Sequence, residues 1–469
     1  MKTLAAAVAA CFLAGCATPH SESLVSPLDL PPGQEVPGVS VTWWQLFGDP
    51  QLDALVDEAV GHNRDLQRAI ARIDESRAAL KLARADYSPT LSGTLGSARE
   101  HPSANGLTPL PAGSPPTIND FQASLNVSYE VDLWGRVANA NASARNELLA
   151  TEYARLTIRN ALIAQVVQSY ATLQSIEARR RAYGEAVDAQ RESLKLQRVR
   201  FQAGDIGELD IRQIEADLEF NELQLPKLDR ALGEAERALA ELCGRSPRDI
   251  LGKGIARSTS AVSVTGVLPA GIPSDLLLRR PDVREAEARL RAAQARVDVA
   301  RAAYFPQVVL TGSYGRESLQ LSDLTNGPSL LWNLVASLTA PIWNGGRISA
   351  QNDIARAQQT QIELDYRDSV ANAFREAADA IQAVDEAQKS VSTTESRTTA
   401  LVRAAELTKL RYEGGELSRL DVINADRLVL SSRADVAEER RSLAVAQSNL
   451  FRALGGGWSP VPRVSVSSR

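Results

Sequence analysis

The sequence predicts an α+β membrane protein made of two structural repeats. Long helices build a tube, and four strands per chain supply one share of a β-barrel. Three observations lead there. A set of motifs occurs twice in the same order, at offsets of 209 to 217 residues. Four segments alternate apolar and polar side chains. Two very long stretches hold almost no residue that breaks a helix.

Composition sets the outer limits. The 469 residues are 23% charged and 5% aromatic, with a formal net charge of −5, so nothing points to nucleic acid. Abundant Ala and Arg favour long helices over a compact mixed core. Cys11, Cys16 and Cys243 are too few and too scattered for a disulfide framework. No nucleophile–base set, metal-ligand cluster or phosphate loop stands out. His20, His62 and His101 fall in separate segments that read as surface. The pattern is not that of an enzyme, and it implies no cofactor beyond the covalent lipid described next.

The N-terminus carries Lys2 and a short apolar run from Leu4 to Ala14, too brief to span a bilayer. Leu13-Ala14-Gly15-Cys16 has the form of a lipobox, which makes residues 1–15 a leader and Cys16 the acylated first residue. An ordinary signal peptide ending in a small residue is the alternative. Ala17 rather than Asp follows, so the inner-membrane retention signal is missing and the outer membrane is the expected address. Each buried CH₂ of an acyl chain contributes about 0.8 kcal/mol, and residues 16–50 form the tethered N-terminal segment. No other segment offers about 20 apolar residues, so any crossing must be a closed barrel.

The repeat then orders the chain. Residues 65–89 match 282–306 at an offset of 217, and SYEVDLWGR (128–136) matches SLTAPIWNGGR (337–347). RFQAGDIGELDI (200–211) returns as RYEGGELSRLDV (411–422) at an offset of 211. The repeats are therefore 51–247 and 276–455, joined by a Gly-, Ser-, Pro- and Thr-rich linker at 248–275 and followed by a tail at 456–469.

In the first repeat, a helix at 52–86 ends before Pro89. A weak strand at 90–98 follows, then a Pro-rich loop at 99–119. The strand at 121–133 puts Phe121, Ala123, Leu125, Val127, Tyr129, Val131 and Leu133 on one face. Gln122, Ser124, Asn126, Ser128, Glu130 and Asp132 take the other, as a barrel with lipid outside and water inside requires. The second repeat supplies strands at 306–315 and 331–343, the latter with Trp332, Leu334, Ala336, Leu338, Ala340 and Ile342 on its apolar face. A soluble sandwich is the alternative. Four strands make a poor sandwich and cannot close a barrel, for which about eight are needed. Three copies give twelve strands and an open lumen.

Long helices at 136–203 and 347–413 each run about 100 Å at 1.5 Å per residue. Shorter helices at 52–86 and 209–243, and at 282–303 and 416–454, stack end to end to match them. Pro226 and Gly233 predict a bend in the 209–243 helix. An exposed coiled coil would need a sustained heptad, which is missing. Trp134 and Trp343 end their strands as aromatic-belt residues do. Tyr87 and Tyr304 mark the matching helix-to-strand ends, Gly135 and Gly345-Gly346 allow sharp turns, and Arg136 and Arg347 reach lipid head groups.

These motifs, with LAGC (13–16), WWQLFGDPQLDALVDEAVGHNRDL (43–66), YEVDLWGR (129–136), the run from 276 to 306 and PIWNGGR (341–347), resemble the TolC-like outer membrane factor family. More narrowly, they resemble its NodT-type lipoprotein channels of resistance-nodulation-division (RND) efflux systems. The resemblance implies a homotrimer with a 12-stranded outer membrane β-barrel continuous with a periplasmic α-helical barrel. It implies passive export of drugs or other small molecules received from an inner-membrane RND pump and a periplasmic adaptor. Type I protein secretion, a metal or siderophore duct, and a lipid-anchored structural coiled coil are the alternatives.

On the same resemblance, the hairpins at 204–210 and 414–421 close the periplasmic tip, with Gly204 and Gly415 supplying loose backbone. Asp421 matches the first acidic residue of the narrowest ring, while Asn424 stands where the second acid is usual. Three like charges at Asp421 would raise some of their own pKa values. Leu417 and Leu420 offer an apolar constriction instead. Tyr412 matches a hydroxyl that holds the closed state. The usual arginine partner falls at Leu417, which leaves Arg419 as the candidate substitute and Asp210 as a candidate acceptor.

Overall fold

A computed structural model describes residues 42–103, 115–246, 248–249, 254–264 and 280–456. The leader, Cys16 and the tail beyond 456 lie outside the described residues. A 3₁₀ turn at Trp43–Phe47 is followed by α1 (Pro50–His62), α2 (Arg64–Ala85), β1 (Thr90–Glu100), β2 (Ile118–Val131) and α3 (Arg136–Gln202). Next come α4 (Glu208–Glu222), α5 (Gln224–Leu242), α6 (Pro281–Ala302), β3 (Gln307–Ser318), β4 (Leu330–Thr339), α7 (Arg347–Glu413) and α8 (Arg419–Ala453).

The two 67-residue helices α3 and α7 each extend about 100 Å. They hold together because only Gly184 in α3, and neither Gly nor Pro in α7, interrupts them. Both α6 and α8 pack between α3 and α7, while α2, α4 and α5 flank the other side of α3. The protomer is thus four parallel columns, of which the first and third are stacks of shorter helices. Equivalent residues of the repeats make the stacks continuous. Asn63 Nδ2 donates to the Leu242 carbonyl at 2.9 Å, joining α5 to α2. Arg280, 217 positions on, donates to the Ala453 carbonyl at 3.1 Å, joining α8 to α6. Arg280 is buried and also reaches Asp282 and Glu376 at 2.7 and 2.8 Å.

Two predicted helices are divided. The 52–86 helix breaks at Asn63, whose Oδ1 accepts from the backbone of Asp65 and Leu66 at 2.9 and 3.1 Å. A cap there begins a second helix where the stack needs a joint. The 209–243 helix breaks at Leu223, three residues before Pro226. Pro226 falls in the first turn of α5, where a missing N–H leaves nothing unpaired.

The strands form one antiparallel sheet in the order β1-β2-β3-β4. Strand β2 starts at Ile118, earlier than the alternation indicated, and stops at Val131, so Leu133 belongs to the turn. Strand β4 stops at Thr339, ahead of Pro341, so Ala340 and Ile342 leave the sheet. The register aligns Leu91 with Val127, Gly312 and Leu334, and Gly93 with Leu125, Tyr314 and Trp332. On the opposite face it aligns Ser92 with Asn126, Ser313 and Asn333, and Thr90 with Ser128, Thr311 and Val335.

The linker differs from expectation in its middle. Ile255 and Val262 are buried in the main core, with Trp43, Tyr170 and Phe451. The backbone of Val264 is held by both ends of the Gln447 amide at 2.9 and 3.0 Å. This core sits near the middle of α3 and packs α1 and the linker against the columns.

Candidate functional site

The two hairpins at the far end of the columns are built alike. Gly204 and Gly415 take φ values of 83° and 78°, the left-handed region that favours glycine. The next residue in each turn, Asp205 or Glu416, donates its N–H to Arg200 or Arg411 at 2.9 Å, closing the helix end. Each second helix is then capped by an aspartate reaching back. Asp210 accepts from the Gly207 N–H at 3.3 Å. Asp421 accepts from the Ser418 N–H at 2.9 Å and its hydroxyl at 2.7 Å. The Ser418 hydroxyl and amide hold the Asp421 carboxyl below its ordinary range.

Side chains tie one hairpin to the other. The Tyr412 hydroxyl lies 3.4 Å from Nη1 of Arg200. Arg419 sits over the Tyr412 ring at 5.7 Å and donates to Ser193 Oγ at 2.8 Å. Arg427 on α8 pairs with buried Asp217 on α4, which also accepts from Gln190 Nε2 at 2.5 Å. Ile423 packs with Val187, Leu194, Ile214 and Leu218. The expectation that Asp210 receives Tyr412 or Arg419 is corrected, because its carboxylate is engaged within its own turn. Ser193, Arg200, Asp217 and Arg427 were missed. Arg200 opens the repeated RFQAGD motif, and that repetition was the available signal. Leu417 is half-buried, while Leu420, Asp421 and Asn424 are exposed in the protomer.

At the opposite end, the apolar face of the sheet is open. Leu95, Leu125, Tyr314, Trp332, Leu334 and Leu338 are all exposed. Trp134 stacks on Phe305 at 4.8 Å and donates Nε1–H to the Pro306 carbonyl at 2.7 Å. Trp343 is 89% exposed, and Tyr87 and Tyr304 are each about half exposed. Gly135 and Gly346 turn the chain into the long helices with φ of 74° and 81°. Arg136 is not directed at head groups. It forks Glu130, with two bonds of 2.7 Å, on the polar face of β2. Arg347 is exposed and forms no ion pair among the described residues, so of these two arginines it is the one with an unpaired guanidinium. Among the described residues no three His, Cys, Asp or Glu side chains group as metal ligands.

A sheet with one apolar and one polar face, unpaired at both edges and continuous with four long columns, is an incomplete wall. The family model for outer membrane efflux proteins matches residues 55–245 and again 272–456. The chain belongs to that family. CusC of Escherichia coli O6:H1, a cation efflux system protein, is 32% identical over 420 residues, covering 89% of this chain and 88% of CusC. SilC of Salmonella typhimurium, a probable outer membrane lipoprotein, is 29% identical over 457 residues, covering 95% and 97%. The CmeC outer membrane channel of Campylobacter jejuni superposes with a TM-score of 0.85 at 28% identity, covering 90% of this chain and 89% of CmeC.

As a member of the outer membrane efflux proteins, the chain is a channel and not an enzyme. Three copies form the trimer, and their sheets close a twelve-stranded barrel in the outer membrane. The Leu91 and Leu334 face meets lipid, and the Ser92 and Asn126 face lines the lumen. The helical columns continue the wall into the periplasm, and the channel works with adaptor and inner-membrane pump partners.

Proposed function

We propose that this protein is the exit duct of an RND-type tripartite pump, passively conducting drugs or other small molecules, with its resting barrier at the second hairpin. The observation that supports this most is the set of ties between Tyr412 and Arg200, Arg419 and Ser193, and Arg427 and Asp217. They hold the end of α7 and the start of α8 against α3 and α4, while Leu420, Asp421 and Asn424 are exposed in the protomer. An adaptor that binds the parted hairpins better than the joined ones would shift the population towards open. Asn424 in place of a second acid leaves one ring of three Asp421 carboxylates. A covalent lipid on Cys16 adds a second hold on the outer membrane, in line with SilC's description as a lipoprotein. Export of metal ions is a second reading, favoured by CusC's description as a cation efflux protein.

The test is single-channel conductance in planar bilayers, wild type beside Asp421→Ala. Small flickering wild-type currents and larger, steadier variant currents support a barrier at the second hairpin. Equal, sizeable currents move the barrier elsewhere. No current from either overturns the duct.

A further inference from the structure

We propose that the groove between α3 and α8, near the middle of α3, is a binding site for a small oxyanion, a carboxylate or a phosphate. The groove is a cleft of about 210 Å³ bounded by Arg181 on α3, by Arg433, Arg440 and Arg441 on α8, and by the linker at 259–262. Its floor is made of small apolar side chains, among them Ala178, Val262 and Ala437, and this leaves the space open.

Four guanidinium groups meet only two carboxylates. Arg440 bonds Glu395 at 3.0 and 2.6 Å, and Arg441 bonds Glu438 at 2.9 Å. Arg181 gives one N–H to the neutral Thr259 carbonyl at 3.1 Å. Arg433 makes neither a hydrogen bond nor an ion pair among the described residues. Two positive charges on facing helices therefore lack a counter-charge. Planar forks of this kind bind carboxylate and phosphate through paired, charge-assisted hydrogen bonds.

The repeat argues that these cations are not a requirement of the scaffold. The residues 211 positions before Arg433 and Arg440 are Glu222 and Asp229, and the residue 211 after Arg181 is Ser392. At three of the four positions the same helical architecture is thus built in the other repeat with the charge absent or reversed, and Arg441 alone has a basic counterpart, Arg230. Size narrows the occupant. The volume equals that of about seven waters, below the range of drug-sized pockets. The groove lies between the two inner columns of the protomer, away from its edge columns at α7 and at α2, α4 and α5. An anion bridging Arg181 and Arg433 joins α3 to α8 and stabilises the assembled tube by mass action.

The experiment uses the purified trimer in detergent, titrated with inorganic phosphate and separately with citrate, at ionic strength matched with sodium chloride. Binding is read by calorimetry and by the shift in unfolding temperature. The expected result is saturable binding of at least one anion with a rise in melting temperature. Tightest binding by citrate identifies a carboxylate site, and by phosphate a phosphate site. Arg433→Gln weakens it about tenfold, the loss of one charge-assisted bond. The Arg181→Gln/Arg433→Gln double variant abolishes it, Arg433→Lys retains part of it, and trimer formation and conductance stay unchanged. No saturable binding beyond the chloride control, or equal binding by the double variant, overturns the site.

Discussion

The Tyr412 hydroxyl lies 3.4 Å from Arg200, and the Arg419 guanidinium covers the ring of the same tyrosine at 5.7 Å. One aromatic side chain on α7 is thereby held by the end of the first long helix and by the start of α8. Tyr412→Phe removes the first contact and keeps the second. Its expected effect is a modest rise in open probability. Because both changes delete one link, Arg200→Gln combined with Tyr412→Phe should do no more than either alone. Bilayer recordings of the two single variants and the double variant check this through the coupling between them.

Arg427 and Asp217 form a stronger tie, because Asp217 is only 2% exposed. Arg427→Met leaves that carboxylate with Gln190 as its remaining side-chain donor. Removing one partner of a buried pair costs about 3 kcal/mol, and the half-exposed arginine places this pair at or below that value. Hydrogen exchange should show α4 and the start of α8 opening first. Adding Asp217→Asn to Arg427→Met should restore much of the protection.

The sequence made the gross architecture legible because its determinants are periodic or repeated. Alternation from Phe121 to Val131 set the faces of β2, and long runs with no Pro and at most one Gly set α3 and α7. Boundaries were less legible where a single side chain decides them. The Asn63 cap divides α1 from α2, and Pro341 ends β4 while the apolar alternation runs on to Ile342. The hairpin ties were hidden for a different reason. Arg427 with Asp217 spans 210 positions, and Arg419 with Ser193 spans 226. No local pattern marks such pairs. Arg136 failed as a head-group residue because Glu130, only six positions away, offered a nearer and more favourable partner.

Acid should loosen the second hairpin through its cap. Ser418 holds the Asp421 carboxyl below its ordinary value of 3.8. The unfolded hairpin therefore takes up a proton before the folded one does. The stabilisation is complete above about pH 4 and is lost as pH falls through the depressed folded value. Asp426 runs the other way, since burial raises its carboxyl, so its ionisation opposes folding as pH rises. In an Asp426→Asn background, the hydrogen-exchange protection factor at the start of α8, taken against the intrinsic exchange rate at each pH, should fall as pH drops below about 4. Adding Asp421→Asn should abolish that acid step.

The barrel has its own sensitive position at Gly315, on the lumen face beside Ser124. A Cβ there would lie 2.3 Å from the Ala123 carbonyl oxygen and 2.7 Å from Ser124 Cα. Both are backbone atoms of β2 and cannot yield without breaking the β2–β3 ladder. Gly312, three residues away on the opposite, apolar face, is more permissive. Its nearest neighbour would be the end of the Val127 side chain at 3.2 Å, which can rotate aside. Gly315→Ala should therefore prevent stable trimer formation, seen as loss of the oligomer band in unheated SDS gels. Gly312→Ala should leave that band in place. If both variants assemble normally, the close approach of β2 to β3 at Gly315 is not what fixes the sheet. If only Gly315→Ala fails, tight backbone contact at this one residue keeps β2 and β3, and with them the two repeats of the chain, in one continuous wall.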